Sequence, residues 1–164
     1  MSFNSLGLKK AEVEKEIHAL NILLSNYQTY YQNLRGVHWN IKGKRFFELH
    51  IKFEELYNAA QEQVDEIAER ILTLGHTPVH AFSEYLTQSR IKEHKNASSA
   101  KDCLQGALDG FKTLLVQQRE ILATAADSDD EGTASLMSDY IKEQEKIIWM
   151  LSAACQSCND NFHQ

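Results

Sequence analysis

Residues 34–69 read LRGVHWNIKGKRFFELHIKFEELYNAAQEQVDEIAE, and this stretch contains the end of one helix pattern and most of a second. Gly36 and Gly43 bracket a tight connection between the two patterns, as expected where two antiparallel helices form a hairpin. From Phe46 onward the apolar residues recur at helical spacing. The stretch therefore predicts a helical hairpin, and the flanking sequence extends both of its helices.

The first helix is expected from about Leu8 to His38, with core positions at alternating steps of three and four residues: Val13, Ile17, Leu20, Leu24, Tyr27, Tyr31 and Leu34. The next step of four reaches His38, so this histidine should end the buried face. The second helix is expected from about Phe46 to Leu74, and its core positions are Phe46, Leu49, Phe53, Leu56, Ala60, Val64, Ile67, Ile71 and Leu74. Gly75 and the later Pro78 form its stop signal.

Two more helices are expected, from about Ser99 to Ala125 and from about Thr133 to Cys158, with Ser98 or Ser99 as the N-cap of the former. Residues 75–97 form a long connection, with a possible short helix at Phe82–Gln88. Two short connections and one long one predict an all-α four-helix bundle with a single crossover, which is the ferritin-like arrangement. A chain of 164 residues is expected to form this as one domain, residues 1–164.

The bulk composition excludes several classes of protein. The net charge of −6 argues against attraction to nucleic acid or to an anionic membrane by overall charge. The sequence has no signal-peptide pattern and no apolar run of about 20 residues, so a cytoplasmic location without membrane contact is expected. Cys103, Cys155 and Cys158 do not form a disulfide framework.

The second helix also carries possible metal ligands on a face away from its core positions. His50 and Glu54 lie one turn apart, as do Asp65 and Glu69, and all four fall within roughly 100° around the helix axis. Imidazole together with carboxylates suits iron or another first-row divalent ion. The two pairs are separated by about 16 Å along the helix, whereas metal ligands lie about 2 Å from their ion. One chain therefore cannot use both pairs at one ion.

The four positions are symmetric about the point between Ala59 and Ala60. A two-fold axis crossing there would bring His50 of one chain near Glu69 of another, and Glu54 near Asp65. The small alanines would let the two helices approach each other, and the apolar residues Phe47, Ile51, Ala68 and Leu72 obey the same symmetry. The sequence thus predicts two identical metal sites across a dimer interface, with His38 as a further ligand.

Three other features each have a functional and a simpler structural interpretation. Trp39 is a packing residue or, beside an oxidising site, a radical trap. The acidic turn DSDDEG stabilises the start of the last helix through its dipole, or it attracts cations to a pore through Asp127, Asp130 and Glu131. Cys155 and Cys158 with His163 resemble half of a zinc site, but no other residues complete it, so buried or incidental thiols are expected.

The hairpin sequence resembles the signature of the Dps miniferritins (DNA protection during starvation). The similarity lies in residues 33–40 (NLRGVHWN), Gly43, residues 46–50 (FFELH), Phe53, residues 56–57 (LY) and residues 65–70 (DEIAER). Residues 145–151 (EKIIWML) also look like the last helix of that family. The last two helices lack the Glu-x-x-His motifs with which ferritins and rubrerythrins build a di-iron site inside one bundle.

The resemblance implies a shell of twelve identical subunits that stores ferric mineral and protects against oxidative stress. It implies a ferroxidase site that oxidises Fe(II) with hydrogen peroxide, or with oxygen, at each dimer interface. His38, His50 and Glu54 would come from one subunit, and Asp65 and Glu69 from its two-fold mate. Glu54 stands where many members have Asp. The family's acidic pores lie near the start of the last helix, where Glu131, and Asp127 or Asp130, are candidates.

Two alternative functions remain. The first is a DNA-compacting shell protein with secondary metal binding. Some members bind DNA through a lysine-rich tail, but here only Lys9 and Lys10 lie near the N-terminus, and the chain is acidic. The second is a cell-surface or regulatory helical dimer that binds zinc, a non-redox occupant of the same ligands, without redox chemistry.

Overall fold

The protein is all-α, as the sequence predicts. In a computed structural model, which describes residues 1–155 and residue 158, the helices are α1 (Lys10–Asn40), α2 (Phe46–Thr73), α3 (Phe82–Gln88), α4 (Ala100–Asp127) and α5 (Glu131–Ala154). The four long helices form the bundle, and the short α3 lies in the crossover at the predicted position. The four-helix bundle with a single long crossover is therefore confirmed.

The hairpin of α1 and α2 positions the candidate site. Its connection turns at Gly43, which has a φ of +114°, a conformation that glycine adopts without the steric cost that other residues meet. At the far end of α2, Gly75 has a φ of +91°. The amide of Gly75 donates to the carbonyl of Leu72, and that of His76 donates to Ile71. These bonds satisfy the last carbonyls of the helix and end it as predicted.

Several helix boundaries differ from the predicted ones. Helix α1 begins at Lys10 rather than Leu8 because the first nine residues form their own turn, in which the side chain of Asn4 accepts from the amides of Leu6 and Leu8. Helix α5 begins at Glu131 rather than Thr133. Asp130 caps it by accepting from the amide of Thr133, a pattern that fixes the first turn.

The ends of α4 and α5 also differ from the predicted ends by a few residues. Helix α4 runs to Asp127 rather than Ala125, and Ser99 is its N-cap, since its hydroxyl accepts from the amide of Asp102. Helix α5 ends at Ala154, with Cys155 as its C-cap, rather than at Cys158.

Two asparagines of α1 hold the extended part of the crossover against the bundle. The buried side-chain oxygen of Asn26 accepts from the amides of Arg90 and Ile91, at 2.6 Å and 3.3 Å. Two turns further on, Asn33 accepts from the amide of His94 and donates to the carbonyl of Lys92, both at 2.9 Å. These contacts replace the backbone partners that a loop lacks, so the crossover has one defined path.

The centre of the bundle contains a closed ring of polar side chains. The hydroxyl of Tyr27 donates to Gln118, the amide of Gln118 donates to Gln144 at 2.8 Å, and the amide of Gln144 donates to the Tyr27 hydroxyl at 2.6 Å. All three side chains are buried. Each of these three side chains therefore has a partner, and the ring helps to align α1, α4 and α5.

Three predicted core positions of α1 and α2 are only partly buried: Tyr31, Phe46 and Val64. Tyr31 is only half-buried, whereas the neighbouring Tyr30 is buried and donates its hydroxyl to the carbonyl of Ala107 at 2.7 Å. A helix of 3.6 residues per turn drifts from a strict stripe over several turns, so Tyr31 turns toward α2 and packs against Tyr57. Among the described residues, no helix combines the length and apolar character needed to cross a bilayer.

Candidate metal centre

His38 and His50 meet where the hairpin closes. The Nδ1 atom of His38 lies 2.6 Å from the carbonyl oxygen of His50, and the Nδ1 atom of His50 lies 2.7 Å from the carbonyl oxygen of His38. The two rings stack with centroids 3.8 Å apart and planes inclined by 11°. The end of α1 and the start of α2 are thus joined by a reciprocal pair of hydrogen bonds.

This contact fixes which nitrogen of each ring is free. A carbonyl oxygen only accepts hydrogen bonds, so each Nδ1 must carry a proton. In a neutral imidazole the lone pair then lies on Nε2, which is the atom available to bind a metal ion. A hydrogen bond from the opposite ring nitrogen to a carbonyl is a common means of orienting a histidine ligand. Both histidines are therefore held in a ligand-competent tautomer.

Aromatic neighbours restrict the movement of the two rings. Phe46 stacks on His50 with a centroid separation of 4.9 Å, and Tyr57 packs edge-on against His38 at 5.3 Å. His38 is buried and His50 is half-buried. Sequence reasoning assigned Phe46 to the core and missed both contacts, although the four-residue spacing from Phe46 to His50 was a signal for one of them.

The carboxylates of the predicted site lie on the solvent-facing side of α2. Glu54 lies one turn beyond His50 and is exposed, and Asp65 and Glu69 are exposed further along the same helix. Within the part of the chain that the structure describes, no three His, Cys, Asp or Glu side chains are grouped so that they could hold a metal ion. One chain thus brings His38 and His50 together and leaves Asp65 and Glu69 apart from them.

The same face of α2 exposes large apolar side chains. Phe47 is 80% exposed, Ile51 54% and Leu72 56%. Large apolar side chains that lie close together on a surface often mark an interaction site. These three residues belong to the symmetric set found in the sequence, and they flank the candidate ligands at both ends of the helix.

Trp39 lies in the last turn of α1 and is 55% exposed. The guanidinium of Arg35 lies 4.8 Å from its ring and 5.3 Å from the ring of Tyr31. These distances are within the range of cation–π attraction. The contacts position the indole at the surface, and its role as a radical trap stays a prediction.

The acidic turn before α5 separates into buried and exposed groups. Asp130 is only 2% exposed, caps α5 and forms an ion pair of 2.6 Å with Arg70. Burial alone would raise its pKa, but hydrogen bonds with Glu16 and Thr133 and the charge of Arg70 together lower it. Asp127 and Glu131 are exposed. Of the three acids considered for a pore, only these two are free to face solvent.

The cysteines depart from the sequence prediction. Cys155 and Cys158 are buried as expected, but they form a disulfide rather than two incidental thiols, and disulfide sulfurs do not serve as half of a zinc site. Cys103 is free and buried, and burial together with the charge of Asp102 raises its pKa to about 11. His163 lies outside the described residues.

Known proteins have similar sequences and the same fold. Residues 17–160 match a family model described as a ferritin-like domain. An uncharacterized protein of Haemophilus influenzae is 59% identical over 98% of this chain and 100% of its own length. A DNA protection during starvation protein of Porphyromonas gingivalis is 42% identical over 90% of this chain and 92% of its own length.

A solved structure agrees closely with the bundle. The DPS protein of Vibrio cholerae O1 superimposes with a TM-score of 0.92 at 55% identity, over 94% of this chain and 97% of that one. That protein is described as a member of a broad superfamily of ferritin-like diiron-carboxylate proteins. The present chain therefore belongs to the ferritin-like family and, within it, to the Dps proteins.

Proposed function

We propose that this protein oxidises Fe(II) at sites shared between two subunits and stores the ferric product, which protects the cell against oxidative stress. The observation that carries the proposal is the reciprocal contact of His38 and His50. It leaves two Nε2 lone pairs free at one end of a helix face that also carries Glu54, Asp65 and Glu69.

The donor set suits iron as a substrate. Imidazole nitrogens favour a transition metal over calcium or magnesium, and carboxylates offset the charge gained when Fe(II) becomes Fe(III). Two copies of α2 crossing near Ala59 and Ala60 would place Asp65 and Glu69 of one chain beside His38, His50 and Glu54 of the other. Each dimer would then hold two equivalent sites.

The reaction proposed for the site is the two-electron reduction of hydrogen peroxide, or alternatively the reduction of oxygen. Two Fe(II) ions give up one electron each, and peroxide takes both electrons and two protons to become two water molecules. Protein ligands fill only part of the metal coordination sphere, so positions stay open for the oxidant. Removing Fe(II) and peroxide together suppresses the formation of hydroxyl radicals.

Membership of the Dps family supports a hollow assembly that encloses the iron chemistry. We infer a cytoplasmic shell of twelve subunits built from such dimers, with ferric mineral inside. Asp127 and Glu131, exposed at the start of α5, are candidates for the acidic lining of an iron entry pore. The description of the Vibrio cholerae relative as a diiron-carboxylate protein is consistent with iron at this site.

Mixed assembly tests whether the site is shared. His50→Ala with Glu54→Ala disables the histidine half, and Asp65→Ala with Glu69→Ala disables the carboxylate half. Each variant alone should lose most peroxide-dependent Fe(II) oxidation. When equal amounts are unfolded and reassembled together, half of the dimers are mixed and each regains one intact site, so about a quarter of wild-type activity should return.

The matched control is a mixture of the Asp65→Ala, Glu69→Ala variant with itself, treated in the same way. Wild-type chains taken through the cycle show how much activity reassembly preserves. Absence of any recovery in the mixed sample, with normal recovery of the wild type, would contradict the shared site. A simpler variant, His50→Ala with Asp65→Ala, should keep its assembly and lose rapid oxidation.

A separate experiment tests whether zinc rather than iron occupies the site. Anaerobic titration with Fe(II) followed by peroxide distinguishes an iron site that turns over from a zinc site, because zinc does not change oxidation state.

DNA binding by an N-terminal tail is disfavoured by the structure. Lys9 and Lys10 lie at the end of a closed turn, where Phe3 pairs with Lys9 and the amide of Lys10 donates to Ser2.

A further inference from the structure

The disulfide between Cys155 and Cys158 lies beside a cavity of about 420 Å³ that Cys155 lines. The cavity is lined by residues from three helix ends: Arg45, Ala100, Lys101, Leu104, Ala153, Ala154 and Cys155. Cys155 reaches the cavity although its residue is only 5% exposed. The cavity is large enough to admit a molecule as small as a peroxide next to Cys155.

Cationic groups border the cavity that Cys155 lines, although Cys155 is itself the C-cap of α5 and so lies at the partially negative end of that helix. Arg45 is the N-cap of α2, and Ala100 and Lys101 form the first turn of α4, so two helix N-termini and two cationic side chains border the same cavity. Helix N-termini carry a partial positive charge. Glu48 pairs with Arg45, and Asp102 follows Lys101, so part of this charge is offset. The cationic side chains and the two helix N-termini favour a thiolate, and the C-terminus of α5 opposes it.

Direct contacts hold this end of the chain in place. Arg45 donates from Nη1 to the carbonyl of Ala154 at 2.8 Å, which fixes its guanidinium at the last residue of α5. The sulfur of Cys158 lies 3.9 Å from the carbonyl oxygen of Lys101. The two cysteines are thus anchored to the starts of α2 and α4, with Cys155 on the cavity side.

We propose that Cys155 and Cys158 form a dithiol site that reduces hydroperoxides without iron, with Cys155 as the attacking sulfur. In the first step the Cys155 thiolate attacks one peroxide oxygen and the O–O bond breaks. This gives a sulfenic acid on Cys155 and releases hydroxide, which is protonated to water. In the second step the thiol of Cys158 attacks the Cys155 sulfur, expels water and forms the disulfide that the structure contains.

The overall change is balanced by two electrons. The two thiols are oxidised to one disulfide, and hydrogen peroxide is reduced to two molecules of water. A small dithiol reductant returns the pair to the thiol form by exchange. This chemistry is independent of the proposed ferroxidase site, and it gives no radical. Cys103 provides an internal contrast, because burial and the charge of Asp102 raise its pKa to about 11 and keep it a thiol.

The test uses assembled protein that is reduced with a dithiol, freed of reductant without air and kept in a metal chelator. One equivalent of hydrogen peroxide per chain is added at pH 7. The wild type and the Cys103→Ser control should each lose two thiols and the mass of two hydrogen atoms. Cys158→Ser protein should stop at a sulfenic acid on Cys155, which a cyclic diketone traps and mass spectrometry locates.

Variants of Arg45 test whether its positive charge promotes the reaction of Cys155 with peroxide. Arg45→Gln should slow the reaction of Cys155 about tenfold, since it lowers the thiolate fraction. Arg45→Lys should retain most of the rate. Lys52→Gln, which removes a cation from an exposed ion pair on the same helix, should have no effect. The proposal is overturned if Cys155 in Cys158→Ser protein reacts no faster than free cysteine, or if Arg45→Gln matches the wild type.

Discussion

Glu16 is a carboxyl group with no exposed surface at the junction of α1 with the α4–α5 turn. It accepts a hydrogen bond from the hydroxyl of Ser128, and it faces Asp130 and Arg70. Burial and the hydrogen bond with Asp130 raise its pKa to about 7. Asp130, bound to Arg70 and Thr133, has a lowered pKa. Glu16 therefore holds a proton at mildly acidic pH while Asp130 remains ionised.

This arrangement predicts that stability falls as the pH rises. Between the ordinary carboxyl value of 4.5 and about 7, the folded state binds one more proton than the unfolded state. The free energy of unfolding should therefore decrease by about 1.4 kcal/mol per pH unit across that window and level off above it. Asp130 contributes in the opposite direction and only at lower pH. Urea denaturation at several pH values measures the slope.

The Glu16→Gln variant tests whether Glu16 causes this pH dependence, because glutamine is neutral at every pH. The variant should show no such slope, whereas Glu55→Gln, a change at an exposed ion pair, should keep it. An unchanged slope in the Glu16→Gln protein would show that another group titrates in this window.

For individual residues, the sequence predicts only part of the candidate site. His50, Glu54, Asp65 and Glu69 could be identified because helical periodicity alone places them on one face. The reciprocal bonds of His38 and His50 could not be derived, since they depend on how the turn at Gly43 folds back. The pairing of Asp130 with Arg70 was likewise hidden, because the two residues are 60 positions apart.

At the scale of elements, the crossover depends on Asn26. Its side chain bonds to the backbone of residues 90–91, to the hydroxyl of Ser89 at 3.2 Å and to Gln117 at 2.5 Å. Asn26→Ala would leave these buried groups without that partner, so it should lower the free energy of unfolding by roughly 2–4 kcal/mol. Chemical denaturation measures the loss.

The control for this prediction is Asn40→Ala, which removes an exposed bond from Asn40 to the carbonyl of Gly36. It should change stability by less than about 0.5 kcal/mol. Hydrogen exchange at the amides of residues 90 and 91 should also accelerate in the Asn26→Ala protein. Equal stability of the two variants would show that the crossover is held by other contacts.

Helix existence was easier to predict than helix ends. Long apolar periodicity identified all four bundle helices, and Gly75 with Pro78 marked the end of α2. The start of α1 was missed because the Asn4 turn competes locally with the helix. The start of α5 was missed because a capping aspartate is one of several acids in the turn, and only Asp130 faces the amide of Thr133.

At the scale of the whole molecule, the exposed apolar face of α2 should hold the dimer together. Leu72→Glu would place a carboxylate against Phe47 of a second copy in the proposed arrangement. Burying a charge without a partner is costly, so the assembly should dissociate to smaller species with loss of Fe(II) oxidation. Sedimentation velocity detects the change in mass, and circular dichroism reports whether the helices persist.

Leu6→Glu is the matched control, because Leu6 is similarly exposed, at 49%, but lies in the N-terminal turn. It should leave the assembly intact. If Leu72→Glu sediments like the wild type, the two-fold contact does not involve this face.

The separation of His50 from Asp65 along one uninterrupted helix has a consequence for newly made protein. A site divided between two chains cannot operate on a polypeptide that is still alone. In the proposed arrangement the onset of iron oxidation would depend on the square of the subunit concentration at high dilution. At low concentration the subunits would remain monomeric and inactive. Iron oxidation would begin only when the concentration is high enough for dimers to form.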